Sequence, residues 1–170
     1  MRQSTSTMGQ PQQAGGKFLT FFLDEEEYGF EILKVQEIIG MMSVTPVPRT
    51  PSFVKGVINL RGKVIPIIDL RLKFAMPAVP QTEETCIIVV RAQGVAMGIV
   101  VDKVSEVLDI ATEDIDVLSC GAVVNTDYIL GIGKAASTVT VLLDIDKVLS
   151  TNEVVELALL PLCYSVCTYG

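Results

Sequence analysis

The chain has 170 residues, of which 49% are hydrophobic and 19% charged, and its formal net charge is −7. It is long enough to bury a core and too apolar to be disordered over most of its length. The acidic balance disfavours non-specific nucleic-acid binding, which needs cations that displace the counterions of phosphates.

The N-terminal third predicts a polar tail followed by short strands. Residues 1–16 are mostly polar residues and glycine, so we expect a disordered tail without the apolar core of a secretory signal, and a cytoplasmic protein. Phe18–Leu23 is predicted to be a strand, Asp24–Glu27 an exposed turn, and Tyr28–Ile32 a second strand. Residues 33–39 fit either a strand or a helical turn. The chain contains no run of 18 apolar residues, so no transmembrane helix is predicted.

The segment Phe53–Leu70 predicts a β-hairpin. Two apolar runs flank the bend Asn59–Gly62, which carries the turn signal of asparagine and glycine. Pro66 lies inside the second run and predicts an edge strand or a bulge, because proline cannot donate to a sheet. Asp69 is predicted to cap a short helical turn that ends near Phe74. Residues 77–84 form a polar linker.

The second half of the chain repeats the first. Three residues recur 69 positions later and two recur 75 positions later, so the second copy contains about six additional residues. Short strands at this spacing are typical of small barrels. We predict an all-β fold with a short helix, in which two small antiparallel barrels, residues 17–80 and 81–150, are related by pseudo-twofold symmetry. Residues 151–170 are predicted to form an apolar C-terminal tail or helix. The matching pairs are Gly29 and Gly98, Val35 and Val104, Glu37 and Glu106, Gly56 and Gly131, and Asp69 and Asp144.

Charges of opposite sign are separated along the chain. Residues 55–74 contain five basic residues and one acidic residue, whereas residues 102–116 contain six acidic residues and one basic residue. Two interpretations stay open. The segments are two solvated faces, or the first is a basic docking patch for an acidic protein partner.

The residue types of common catalytic sites are missing. The chain has no histidine, which excludes Ser-His-Asp and Cys-His arrangements and removes the commonest general base. The segment Gly131–Lys134 lacks the spacing of a phosphate-binding loop. The cysteines form no Cys-x-x-Cys pair, so we expect free thiols and no zinc site. We predict a binding module that is not an enzyme and has no metal or cofactor. The cysteines are Cys86, Cys120, Cys163 and Cys167.

Three motifs, Tyr28–Ile39, Thr50–Gly62 and Ile65–Arg71, resemble the CheW-like coupling proteins of bacterial chemotaxis. The resemblance covers residues 17–149 and implies one CheW-like domain, about 17–150, made of two SH3-like five-stranded barrels. It also implies a scaffold that links the cytoplasmic tips of methyl-accepting chemoreceptors to the regulatory domain of the histidine kinase CheA. Such a protein meets the membrane only indirectly, through its receptors.

The resemblance further implies a receptor-binding groove between the barrels, and it implies that Arg61 pairs with Glu37. A carboxylate that holds an arginine presents an oriented, planar donor face to a partner. The alternative for Arg61 is that it fastens the turn, and for the glycines it is backbone geometry alone. No residue is assigned to kinase binding. The implied receptor-binding residues are Val35, Glu37, Gly56, Arg61, Gly62, Gly98 and Val107.

Two alternative functions stay open at the level of sequence. One is a CheW-like adaptor for a kinase of another motility or developmental pathway. The other is a small-barrel nucleic-acid-binding protein. The negative charge and the aromatic content of only 6% disfavour the second, because single-stranded nucleic acid is bound by cations and stacked aromatic rings.

Overall fold

The structure is a computed structural model that describes residues 15–117, 128–135, 137–149 and 153. These residues are mostly β-structure, which confirms the predicted fold class. The predicted N-terminal tail lies outside the described residues up to residue 14, and Gly16 already belongs to the first strand. Apart from Glu153, the predicted C-terminal tail or helix also lies outside them, as do Cys120, Cys163 and Cys167.

The two halves of the chain contain the same series of strands followed by a short helix, with one additional short strand in the second half. Each half also has one 3-10 turn, at a different place in the series. The first half contains β1 (Gly16–Leu23), β2 (Glu26–Glu31), a 3-10 turn (Ile32–Lys34), β3 (Val35–Gly40), β4 (Val54–Leu60), β5 (Lys63–Asp69) and α1 (Leu70–Lys73). The second half contains β6 (Cys86–Ala92), β7 (Val95–Val101), β8 (Lys103–Ile110), a 3-10 turn (Thr112–Asp114), β9 (Ile115–Asp116), β10 (Ile129–Ala135), β11 (Thr138–Leu143) and α2 (Ile145–Val148).

Both short helices begin at an aspartate that caps them. Asp69 accepts a hydrogen bond from the backbone nitrogen of Leu72 at 3.3 Å, and Asp144 accepts one from that of Asp146 at 3.0 Å. Side chains of this kind satisfy the free N–H groups of a first helical turn. The cap predicted at Asp69 is therefore confirmed. No helix within the described ranges has the length and hydropathy needed to span a membrane.

The strands form two sheets with the same internal arrangement. One sheet has five strands in the order β3-β6-β7-β5-β4, and the other has six in the order β8-β1-β2-β11-β10-β9. Gly98 of β7 lies opposite Ile67 of β5, and Gly29 of β2 lies opposite Leu142 of β11. Gly98 lies 69 positions after Gly29, and Leu142 lies 75 positions after Ile67. The two pairs are therefore equivalent in the two repeats. The agreement in register confirms the predicted duplication.

The sheets do not follow the predicted units 17–80 and 81–150. The hairpin β1–β2 inserts between β8 and β11, and the hairpin β6–β7 inserts between β3 and β5. The physical reason lies in the connections. The 3-10 turn Ile32–Lys34 carries the chain from one sheet into the other, and Asp102 does so between β7 and β8. Each sheet therefore combines the first hairpin of one repeat with the remaining strands of the other, three in the five-stranded sheet and four in the six-stranded sheet.

Short segments close both sheets into barrels. After β3 the chain turns back, and Thr45 exchanges two backbone hydrogen bonds of 2.9 Å with Val57 of β4. In the other sheet β9 follows β8 and pairs with β10. Pro66 lies in the interior strand β5, opposite Val57, so the edge-strand alternative is wrong. The bulge alternative agrees with the structure, because the register of β4 and β5 shifts between Val54 and Gly56, next to this pair. Pro66 is tolerated there because Val57 directs its backbone hydrogen bonds to Thr45 instead.

Three apolar clusters hold the barrels together. The largest contains residues of both sheets, such as Phe21 and Phe30 of the six-stranded sheet and Ile88 and Met97 of the five-stranded sheet. A second cluster lies within the five-stranded sheet, around Ile67, and a third lies within the six-stranded sheet. Fully burying a side chain of this size contributes about 1.5–3 kcal/mol. Among the described residues, most of the buried apolar side chains belong to the cluster that both barrels share.

Arg71, which is only 6% exposed, joins three segments where the chain passes between the sheets. Its Nε donates to Asp102 Oδ1 at 2.8 Å, and its Nη2 donates to Asp24 Oδ1 at 3.0 Å. Its Nη1 donates to the carbonyl of Pro77 at 3.0 Å. The guanidinium lowers the pKa of Asp102 by hydrogen bonding to its carboxylate. A buried arginine is costly unless its donors are satisfied, so this network fixes α1 against the β1–β2 turn.

The corresponding contact at the other crossing has the opposite polarity. Asp146 lies 75 positions after Arg71, at the same place in α2. It accepts hydrogen bonds from the backbone nitrogen of Gln93 at 2.8 Å and from Lys34 Nζ at 2.7 Å. In both repeats the short helix therefore contacts a crossing between the sheets through an ion pair. The helix supplies the cation in the first repeat and the carboxylate in the second.

We predict that a chain cut between the exposed residues Val79 and Pro80 folds only when both fragments are present. Neither fragment contains the strands of a complete barrel, because each barrel takes strands from both repeats. Each fragment alone should lack a cooperative urea transition, and an equimolar mixture should recover the transition and the β-type circular dichroism of the intact chain. A fragment that unfolds cooperatively alone would contradict the strand exchange.

Candidate protein-interaction site

A tight turn places Arg61 at the end of the β4–β5 hairpin. The turn consists of Arg61 and Gly62, whose φ angles of 52° and 87° are typical of a type I′ turn. The side chain of Asn59 accepts a hydrogen bond from the backbone nitrogen of Gly62 at 2.8 Å. A left-handed conformation is easy for glycine and uncommon for arginine. An arginine with this backbone conformation supports a hypothesis of function.

Glu37 of β3 holds the Arg61 side chain. The Nη2 of Arg61 donates to the Oε2 of Glu37, so the ion pair implied by the resemblance is present. The Arg61 side chain is nevertheless 67% exposed, whereas that of Glu37 is 33% exposed. An exposed ion pair contributes little to stability. What the pair provides is orientation of a guanidinium that stays accessible to a partner.

Three of the predicted site residues lie on one row across the five-stranded sheet. From β3 to β4 the paired residues are Glu37, Val89, Gly98, Ile67 and Gly56. Residues of one row share a face of the sheet. The strand pairing therefore brings together residues that are up to 61 positions apart in the sequence.

The two glycines of this row are required by the barrel itself. A Cβ on Gly98 would lie 2.6 Å from Ile67 Cδ1 and 2.7 Å from Ile87 Cγ2. A Cβ on Gly56 would lie 2.1 Å from the carbonyl oxygen of Thr45, and the φ of Gly56 is 143°. Backbone geometry and packing explain both glycines, and they shape the site through the barrel wall.

The two predicted valines lie apart from each other. Val35 begins β3, opposite Val90, and packs against the cluster shared by the barrels. Val107 lies on β8 of the six-stranded sheet, opposite Leu19, and is 49% exposed. Of the seven predicted residues, four lie on strands of the five-stranded sheet and two form its β4–β5 turn, whereas Val107 lies on the other sheet.

A groove of about 300 Å³ lies beside the Arg61–Glu37 pair. Two cations in it, Lys63 and Arg91, are not among the predicted site residues. Arg91 could have been noticed because it interrupts the apolar run of β6 and shares a face with Val89, two residues before it. The groove is lined by Gln36, Glu37, Leu60, Arg61, Lys63, Ile65, Val89, Arg91 and Ala96.

The side chains that line this groove are three cations, one carboxylate, one amide and several apolar groups. Its ionisable lining residues are Glu37, Arg61, Lys63 and Arg91, and it contains no hydroxyl or thiol side chain. In the part of the chain that the structure describes, no group of three or more Cys, Asp or Glu side chains is placed to hold a metal ion.

Comparison with known proteins decides the family. The family model of the CheW-like domain matches residues 17–153. The chain belongs to the CheW-like family. It is 47% identical over 143 residues to the chemotaxis protein CheW of Klebsiella aerogenes, an alignment that covers 84% of this chain and 86% of that protein. It is 35% identical to the chemotaxis protein CheW of Helicobacter pylori, over 89% of this chain and 93% of that protein.

A solved structure of the CheW-like family has the same fold as this chain. The crystal structure of the scaffolding protein TtCheW from Thermoanaerobacter tengcongensis superposes with a TM-score of 0.75 at 33% identity. The superposition covers 82% of this chain and 95% of that protein. The described barrels are therefore those of a CheW-like domain.

We predict that Gly56→Ala destabilises the protein more than Gly62→Ala. A methyl group on Gly56 would overlap the Thr45 carbonyl in addition to straining the backbone, so the loss should be about 3 kcal/mol. Gly62 has no atom within 4 Å of a built Cβ, and only its left-handed φ costs about 1 kcal/mol. Urea unfolding of both variants measures the difference, and equal losses would contradict this reading of Gly56.

Proposed function

We propose that the protein is a non-catalytic cytoplasmic adaptor that links the tips of methyl-accepting chemoreceptors to the regulatory domain of the histidine kinase CheA. Its membership of the CheW-like family makes it a chemotaxis adaptor that couples receptors to CheA. The relatives it matches are named chemotaxis proteins, and the matched crystal structure is that of a scaffolding protein. The absence of histidine from the sequence supports a role without general-base catalysis.

The observation that carries the receptor-binding part of the proposal is the Arg61–Glu37 pair. Arg61 is exposed, occupies a left-handed turn position, and is held by a carboxylate of a neighbouring segment of the barrel. This arrangement reduces the side-chain entropy that the arginine loses on binding. Arginines at interface centres are among the residues that dominate binding energy.

We propose that the receptor contacts the surface around this pair. Glu37 orients Arg61, Gly62 allows the turn, and Val35 lies two residues before Glu37 on β3. Gly56 and Gly98 form part of the barrel wall beneath the Arg61–Glu37 pair. Val107 lies on the other sheet, so it contributes to the contact when the receptor also reaches the six-stranded barrel.

We predict that Arg61→Ala lowers receptor affinity about thirtyfold, which corresponds to about 2 kcal/mol, and changes the free energy of unfolding by less than about 0.5 kcal/mol. Glu37→Gln should act in the same direction, and the double variant should lose less than the sum, because Glu37 acts through Arg61. Calorimetry with a receptor cytoplasmic fragment and urea unfolding measure the two quantities.

Lys134 provides the matched control for this experiment. Its side chain forms an exposed ion pair with Asp116 on the six-stranded sheet, at 3.1 Å. Lys134→Ala therefore removes a comparable exposed cation away from the proposed contact and should leave the affinity unchanged. Unchanged affinity of Arg61→Ala, or a loss that only parallels a loss of stability, would contradict the proposal.

A further inference from the structure

The groove beside the Arg61–Glu37 pair carries an excess of positive charge. Its lining includes three cations and one carboxylate, which leaves two positive charges. Glu37 is paired with Arg61. Among the described residues, neither Lys63 nor Arg91 forms an ion pair with a carboxylate. The whole chain, in contrast, has a net charge of −7, so the groove is a local positive site on an acidic protein.

Arg91 is held in place by neutral groups. Its Nη1 donates to the carbonyl of Gly94 at 3.0 Å. The side-chain amide of Gln36 satisfies its hydrogen bonds when its oxygen faces Arg91. In this orientation the oxygen accepts hydrogen bonds from Nε and Nη2 of Arg91, both at 3.1 Å. A guanidinium has five N–H groups, so about two remain for a ligand. The side chain is therefore oriented, while its charge is left uncompensated.

The repeat shows that these cations belong to one barrel only. Glu37 has a counterpart, Glu106, at the offset of 69 residues. At the same offset Arg91 corresponds to Phe22, and at the offset of 75 residues Lys63 corresponds to Thr138. The two barrels thus share the backbone fold and the glutamate. The unpaired cations Lys63 and Arg91 have counterparts without charge in the six-stranded barrel.

We propose that Lys63 and Arg91 form a carboxylate-binding subsite that receives an acidic stretch of the receptor tip next to Arg61. This inference rests on the proposed function, because it takes the receptor as the ligand of the same surface. An oriented arginine suits a carboxylate, since its remaining donors match the carboxylate oxygens. An acidic segment would be repelled by the acidic residues 102–116 of the other sheet, so the subsite also fixes which barrel the segment meets.

The test is the affinity of Lys63→Gln, Arg91→Gln and the double variant for a receptor cytoplasmic fragment, measured by calorimetry at low and high salt. Each single variant should weaken binding about tenfold at low salt, because each removes one charged contact. The salt dependence of the affinity should also decrease. Arg91→Lys should keep the salt dependence but lose part of the affinity, because it keeps the charge without the planar donors.

Lys147→Gln is the control, since Lys147 is an exposed lysine of α2 outside the groove. Its affinity should equal that of the parent protein. Urea midpoints of all variants show whether the fold is kept. The acidic residues of the receptor tip can also be neutralised one group at a time. For one group only, Lys63→Gln and Arg91→Gln should then cause no further loss of affinity. That group identifies the stretch of the receptor that the subsite binds.

The outcomes separate this inference from the proposed function. If Arg61→Ala weakens binding while Lys63→Gln and Arg91→Gln do not, the subsite is refuted and the receptor contact stands. If Lys147→Gln weakens binding as much as the groove variants, the effect is one of overall charge and the subsite is refuted. If the parent protein fails to bind the receptor fragment, both proposals are wrong.

Discussion

The exchange of hairpins between the repeats is the constraint on which the rest of the structure depends. Because β1–β2 lies between β8 and β11, and β6–β7 lies between β3 and β5, neither repeat can satisfy its backbone hydrogen bonds alone. The exchange requires two crossings between sheets, and each crossing is held by a charged contact, centred on Arg71 at one and on Asp146 at the other. It also sets the start of β3, and thereby the position of Glu37.

Symmetry of the backbone and asymmetry of the side chains have different consequences. The registers, bulges and helix caps agree between the repeats, because barrel closure demands the same hydrogen bonds in both. Barrel closure does not constrain the side chains on the surface in this way. The five-stranded barrel carries the cations of the hairpin turn and of β6. The acidic residues of the segment 102–116 lie on β8 and β9, in the 3-10 turn between them, or at the crossing to that sheet. A duplicated scaffold of this kind presents two different faces to its partners.

Local features of this fold could be predicted from the sequence, and long-range pairing could not. The hairpin bend at Arg61 and the cap at Asp69 depend on neighbouring residues, and the duplication shows in residue spacing. The hairpin exchange depends on which strands pair, and repeat spacing is the same whether hairpins stay within a repeat or change places. The same limit applies to the place of Arg91 in the groove. It joins the groove only because β6 pairs with β3, which brings it beside Gln36.

We propose that one barrel of a symmetric pair carries the receptor contact. Amide chemical-shift mapping of the isotope-labelled protein during titration with a receptor cytoplasmic fragment tests it most directly. We expect the largest shifts on Arg61, Lys63 and Arg91 of the five-stranded barrel. The counterparts of Lys63 and Arg91 in the other barrel, Thr138 and Phe22, should shift little. Largest shifts at Thr138 and Phe22, with the Arg61 turn unchanged, would contradict this assignment.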